Sequence, residues 1–227
     1  MFKRFIEPAS VRRYRQYRAV EMALNNKIMK TKLEPAVFDR AVRGLGVGVQ
    51  RRLELESEDE LSVLMDYAFY EVGQPGARLI DRYREQPGGK DRVERELLDA
   101  MAASAIGLYH VESVDKSLRQ LTLKQLAPAE SDVTITDINF SKSPVLGAVL
   151  FSRLLGLPEF TMTSGAALAF EAEMEAQLVR MWAQTLPRER YRRIFKLYRR
   201  QGVPMAYADV AKPRRGNKAA DQSDLDE

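Results

Sequence analysis

The segment Pro187-Arg-Glu-Arg-Tyr-Arg-Arg-Ile-Phe-Lys-Leu-Tyr-Arg-Arg200 is the most suggestive in the chain for binding chemistry. On a helix, Arg188, Arg192, Arg199 and Lys196 fall near one side, and Tyr191, Ile194, Phe195 and Tyr198 fall on another. Guanidinium groups in a row neutralise phosphates, with an affinity that drops as salt rises. The candidate anion or nucleic-acid contacts are therefore Arg188, Arg192, Arg193, Lys196, Arg199 and Arg200. The same pattern suits an amphipathic helix whose aromatic side is core and whose arginine stems lie along the surface. It also suits an acidic partner protein or a membrane surface.

Other chemistry is weaker. Gly44-Leu-Gly-Val-Gly48 looks like a phosphate loop. A dinucleotide fingerprint, however, needs G-x-G-x-x-G between a strand and a helix. Here the spacing is G-x-G-x-G after a helical pattern, so a hinge or a helix C-cap is expected. His110 is the only imidazole, and its expected place is mid-strand, on one side with Leu108 and Glu112. A serine–histidine pair would need Ser152 or Ser164 beside it, and a general base must be shown by geometry. The acids Glu56, Glu58, Asp59, Glu60 and Asp66, then Asp132 and Asp137, could offer oxygen ligands to a hard cation. Glu58–Glu60 has a simpler task at a helix start. No catalytic, cofactor-binding or metal-ligating residue is assigned.

Composition narrows the choice. The chain has 227 residues, 36 Lys+Arg, 32 Asp+Glu, one His and no Cys. At roughly 100–200 residues per domain this is one large domain or two small ones. Absent cysteine excludes disulfides, thiol catalysis and Cys-based metal sites. A single His excludes a two-His motif within the chain. The N-terminal stretch has charge but no apolar core or cleavage site, so no secretory signal is expected. No apolar run approaches the ~18 residues of a membrane span. A cytoplasmic location is the default.

The net charge of +4 is unevenly spread. Residues 1–32 hold nine bases against two acids, and residues 187–200 hold seven against one. Residues 50–140 hold eleven bases against eighteen acids. The basic ends either dock on this acidic middle or on an acidic partner.

Periodicity supplies the elements. A helix from about Val11 to Lys30 has an apolar side of Tyr14, Tyr17, Val20, Leu24 and Ile28, with Arg12, Arg13, Arg15 and Arg18 on the other. A second begins near Pro35 and stops at Gly44. The third has the cleanest period, through Leu61, Leu64, Met65, Ala68, Phe69 and Val72. Two more follow, one with Leu79, Ile80 and Tyr83 and ended by Pro87-Gly88-Gly89, the other from about Asp91 to Ser104. From Gly107 the period becomes two. Strands are expected through Leu108–Ser113, Leu118–Leu126, Val133–Thr136, Val145–Leu155 and Phe160–Leu168. Helices return after Ala169, and Pro187 opens the last. Residues 204–227 read as a disordered polar tail. The expected organisation is a basic helical region (1–50), a helical segment (51–106), an antiparallel sheet (107–169), C-terminal helices (170–203) and the tail. The fold class is α+β, with N-terminal helices, a small antiparallel meander or barrel and a C-terminal helical pair.

Several stretches carry a resemblance. They are Asp66-Tyr-Ala-Phe-Tyr70, Leu79-Ile-Asp-Arg-Tyr-Arg84, Glu96-Leu-Leu-Asp-Ala100, Ser104-Ala-Ile-Gly-Leu-Tyr-His-Val-Glu-Ser-Val-Asp115, Leu121-Thr-Leu-Lys-Gln-Leu126 and Gly147-Ala-Val-Leu-Phe-Ser-Arg-Leu-Leu155. Between Leu64 and Phe170, just under half the chain, they resemble a segment of uncharacterised bacterial proteins. That segment often sits beside a zinc motif like the one at the SecA C-terminus. The matching residues pack and turn, so the resemblance implies a shared fold and no activity. The zinc motif needs cysteine and is absent.

The leading functional expectation is a soluble cytoplasmic binding or protein-interaction protein that is not an enzyme. The alternative is a nucleic-acid-associated protein using its basic terminal helices. A third class is an enzyme with carboxylates clustered in a pocket and shifted in pKa. A homodimer is also conceivable, because the long first helix carries an apolar stripe in need of a covering surface.

Overall fold

The computed structural model describes residues 7–49, 52–86, 91–129, 131–143 and 145–201. The 204–227 tail and the Pro87–Gly89 breaker lie outside them. Among the described residues, seven α-helices and a five-stranded barrel give an α+β fold.

Helix α1 (Ala9–Thr31) buries Val11, Tyr14, Tyr17, Glu21, Leu24 and Ile28. From Tyr14 the steps are three, four, three and four, a heptad seam along one side. The buried member between Tyr17 and Leu24 is Glu21, while Val20 is only half-buried. Hydrophobicity alone selects Val20, but the helical angle favours Glu21. The seam is covered within the same chain, by α5 (Arg92–Ala103) and by the barrel. Tyr17 meets the Phe160 ring edge-on and its hydroxyl donates to Glu96 of α5. That coverage removes the stripe as an argument for a dimer.

Helix α2 (Pro35–Leu45) opens on proline and ends at Gly46, whose φ of 71° lets the chain turn out of the helix. Gly44 lies within α2, and a Cβ there would fall 2.8 Å from the Tyr67 ring. The glycine-rich stretch is thus a helix end and a close approach. The short hairpin β1 (Gly48–Val49) and β2 (Arg52–Leu53) leads to α3 (Glu58–Tyr70), then α4 (Leu79–Arg84) and α5.

Strands β3 (Ile106–Asp115), β4 (Gln120–Ala127), β5 (Ser131–Thr136), β6 (Val149–Gly156) and β7 (Thr161–Phe170) close in the order β3-β4-β5-β7-β6. Four pairings are antiparallel, and β5 meets β7 in parallel at Ile135 and Thr161. The expected fourth strand therefore starts later, at Val149, and the fifth runs on through Phe170. Alternation explains the double burial of β6 and β7. Leu150, Ala167 and Ala169 join Tyr109, Val111, Leu121, Leu123 and Ile135 inside the barrel. Val149, Phe151, Leu168 and Phe170 face the helices. A strand covered on both sides reads as a continuous apolar run. Helices α6 (Glu175–Gln184) and α7 (Pro187–Gln201) pack Leu178, Tyr191, Ile194 and Phe195 against the helix-facing side.

Candidate functional site

Polar side chains inside this apolar frame need partners, because an unpaired charge in a low-dielectric interior is costly. Two arginines meet that need with two carboxylates each. Arg18 on α1 donates to Glu21 one turn on, to Asp137 at 3.3 Å and to Thr163 at 3.2 Å. Its Nε reaches the Tyr14 hydroxyl at 3.3 Å. Arg153, in the middle of β6, lies 3.3 Å from both Asp66 oxygens and also holds Glu71. Its guanidinium stacks 4.2 Å from the centre of the Tyr70 ring. Arg18 therefore does not belong to a solvated helix side; only 17 % of its side chain is exposed.

Strand β7 joins the two clusters. Thr163 donates to Asp137 at 3.0 Å and Ser164 donates to Asp66 at 2.6 Å. Consecutive strand residues normally point to opposite faces. Here Ser152 pairs with Ala167 and Leu154 with Thr163, so residues 164–166 lie opposite Arg153 alone. This bulge brings Thr163 and Ser164 to one side. Gly165 supplies its left-handed turn, with φ at 87°. Asp137 is fixed in turn, since its other oxygen accepts the backbone N–H groups of Asn139 and Phe140.

Above these clusters a cleft of about 680 Å³ opens between α1, α3, the loop after β5 and the β7 bulge. Its polar floor is Arg18, Glu21, Asp66, Asp137, Thr163 and Ser164. Met22, Met29, Leu61, Met65, Phe69 and Phe140 form its apolar walls. Met22, Met29 and Leu61 are well exposed at the rim. The volume falls within the ~300–1,000 Å³ usual for small-molecule sites.

Glu21 is 1 % exposed. One of its oxygens binds Arg18; the other, Oε1, has no hydrogen-bonding partner among the described residues. Asn25, one turn further along the same wall, leaves its Oδ1 in the same condition. Burial pushes the Glu21 carboxyl above its ordinary pKa, and Arg18 only partly opposes it. Glu71 is raised by burial too, against the pull of Arg153. Tyr14, beside Arg18, is raised to about 12, mainly by desolvation.

The sequence candidates disperse. Asp66 and Asp137 come together in the cleft, with Ser164. Glu60, at the start of α3, is buried under Arg199, while Asp132 is exposed on β5. Among the described residues, no three His, Asp or Glu side chains group so as to hold a metal ion. His110 bonds Glu175 at 2.8 Å, and Ser152 donates to the Ala166 carbonyl. No serine–histidine pair forms among these residues.

The α7 cations divide. Arg199 holds both Glu60 oxygens at 2.7–2.9 Å and the Glu54 carbonyl. Arg192 donates to the Gly44 carbonyl at 2.7 Å. Arg188, Arg193, Lys196 and Arg200 are exposed. The basic ends thus dock in part on the acidic middle, through Arg18 on Asp137 and Arg199 on Glu60.

With the geometry in place, comparison with known protein families matches residues 9–208 to the family described as "Family of unknown function (DUF7986)". The chain belongs to this family. The match spans every helix and strand, so the cleft lies wholly inside the DUF7986 region. No curated protein and no solved structure matches the chain. Among the described residues, no helix is long and apolar enough to cross a membrane.

Sequence reasoning missed Glu21 and Arg153, and the signals were present. Glu21 occupies a heptad position, and Arg153 interrupts the apolar run Val149–Leu155. Each is a charge where the pattern demands an apolar residue.

Proposed function

We propose that this is a small-ligand-binding protein whose site is the cleft between α1, α3 and the β7 bulge. The observation that carries the reading is Glu21, buried in the cleft wall with one oxygen unpartnered. A buried acceptor without a partner is costly in a stable fold, and a ligand donor is its natural complement. The apolar walls would supply most of the affinity and the polar floor the orientation. Binding rather than catalysis is favoured by the floor itself. Both arginines are engaged with carboxylates, and the Thr163 and Ser164 hydroxyls donate to Asp137 and Asp66. No imidazole lines the cleft. A soluble, cytoplasmic setting belongs to the same proposal, as does a fold shared with the proteins that often accompany a SecA-type zinc motif.

The test is a fragment screen on the full chain by ligand-observed NMR, with competition by a variant that fills the cleft. In Ser62→Trp, hits should lose their signal while the fold persists by circular dichroism. If every hit binds the variant as well as the parent, the cleft is not the site.

A second reading rests on the exposed cations of α7. Arg188, Arg193, Lys196 and Arg200 are all exposed on that helix. Retention on heparin or RNA, lost when these four become Gln, would support a nucleic-acid contact. Binding with no dependence on salt would remove it. Arg192 and Arg199 are poor choices for that test, because each also holds the fold together.

A further inference from the structure

The charge of the cleft favours one class of ligand. The two linked clusters contain the guanidiniums of Arg18 and Arg153 against the carboxylates of Glu21, Asp137, Asp66 and Glu71. Four possible negative charges face two positive ones. The cations are also spent. Arg18 directs Nε to Tyr14, one terminal nitrogen to Glu21 and the other to Asp137 and Thr163. An anionic ligand would have to displace a carboxylate that a backbone or side-chain bond already holds in place. What the wall leaves unpaired is acceptor capacity, at the buried Glu21 Oε1 and Asn25 Oδ1, whose residues lie four apart on α1 and both line the cleft.

A metal ion is a poor fit for that capacity, since the carboxylates do not converge. An organic cation is a better one. Its N–H donors can reach acceptors that are spread along a wall, and its carbon body can lie on the methionine and phenylalanine side chains. Methionine suits a ligand of irregular outline because its side chain is unbranched and adaptable. Burial also raises the worth of such a pairing. A charge-assisted bond from an ammonium to Glu21 would be stronger there than in water, and would compensate the carboxylate for its lost hydration.

Resting on the reading of the cleft as a ligand site, we infer that the ligand is an organic amine: a primary ammonium or guanidinium group seated at Glu21 and Asn25, with an apolar body along Met22, Met65 and Phe69. Glu21 is the specificity determinant. It binds the cation as a carboxylate, and Arg18 holds it in position. Asn25 contributes a second, neutral acceptor.

Three probes of one shape test this on the full chain at pH 7.5: phenethylamine, phenethyl alcohol and phenylacetate, titrated by NMR. Phenethylamine should bind at least about tenfold more tightly than the alcohol, a difference of ~1.4 kcal/mol. Phenylacetate should bind weakest. Glu21→Gln should bring the amine down to the level of the alcohol and leave the alcohol unchanged. Asn25→Leu, at a half-exposed position, should weaken the amine selectively and serves as the second variant. If the alcohol or phenylacetate binds in the cleft as well as the amine, the cation preference is overturned and the ligand site stands. If the amine binds Glu21→Gln as tightly as the parent, Glu21 is not the determinant and the inference falls. If none of the three perturbs cleft resonances and the fragment screen is also empty, the ligand-site reading itself fails.

Discussion

Glu21 takes the place of an apolar residue in a helix seam, and its burial disfavours the charged form. That has a consequence for stability. An unfolded glutamate titrates near ~4.3. The folded carboxyl titrates higher, so between the two values the native state binds more protons than the unfolded one. Stability contributed by this group is therefore full below the unfolded value and is lost as pH rises through the folded one. Gln at this position does not titrate. The difference in unfolding free energy between Glu21→Gln and the parent should shift in favour of the variant as pH rises from about 4 through the raised pKa of the folded carboxyl. Urea melts across that range check it, and a difference that is flat or runs the other way contradicts it. A side chain that destabilises the fold while lining a cleft is the pattern expected of a binding residue. Arg153 differs, because its loss strands two acids. Arg153→Ala should destabilise by about 3–5 kcal/mol, the usual result of leaving buried carboxylates without their cation. A denaturation midpoint close to the parent's would mean that Asp66 and Glu71 find other partners.

At the scale of the elements, the site depends on the irregular part of β7. A regular strand would send Thr163 and Ser164 to opposite faces, and only one cluster could then be completed. Gly165 makes the bulge possible. A Cβ there would sit 3.4 Å from an Arg18 nitrogen, on a backbone with positive φ. Gly165→Ala should therefore cost about 1–3 kcal/mol, as for strained backbone elsewhere. It should also loosen Arg18 and with it Glu21, visible as a weaker amine preference in the same NMR titration. An unchanged melt would show that the bulge is not needed. Much of this element level is legible in the sequence. The spacing of Tyr14, Tyr17, Leu24 and Ile28 places α1, Pro35 opens α2 although its stop reads as Gly44 where the cap is Gly46, and the switch of period at Gly107 marks the barrel. The bulge is not legible, since Thr163-Ser-Gly165 reads like any small polar stretch. Nor is the pairing of Arg18 with Asp137, which brings together residues 119 positions apart. Composition suggests that Arg18 belongs with Arg12, Arg13 and Arg15. Only the angle of α1 against the barrel turns it inward.

Taken as a whole molecule, the chain packs helices against the outside of a small barrel, touching each of its strands, and fills the barrel's own interior with a separate apolar cluster. Every strand of the barrel is paired on both sides, so no edge is left open. That closure matters, as a site built on strands and helices holds its groups more closely than one built on loops. The uneven charge of the sequence also gains a structural meaning. Part of the basic surplus at the two ends is used internally, by Arg18 on Asp137 and Arg199 on Glu60, and part remains outside on α7. The cleft and the α7 surface are therefore distinct places where this molecule could meet something else, and they can be told apart. The decisive measurement is a two-dimensional amide NMR map of the full chain titrated with phenethylamine. The account predicts saturable shifts concentrated at residues 21–25 of α1 and at 163–165 of β7. Shifts confined to α7, or scattered without saturation, would contradict it.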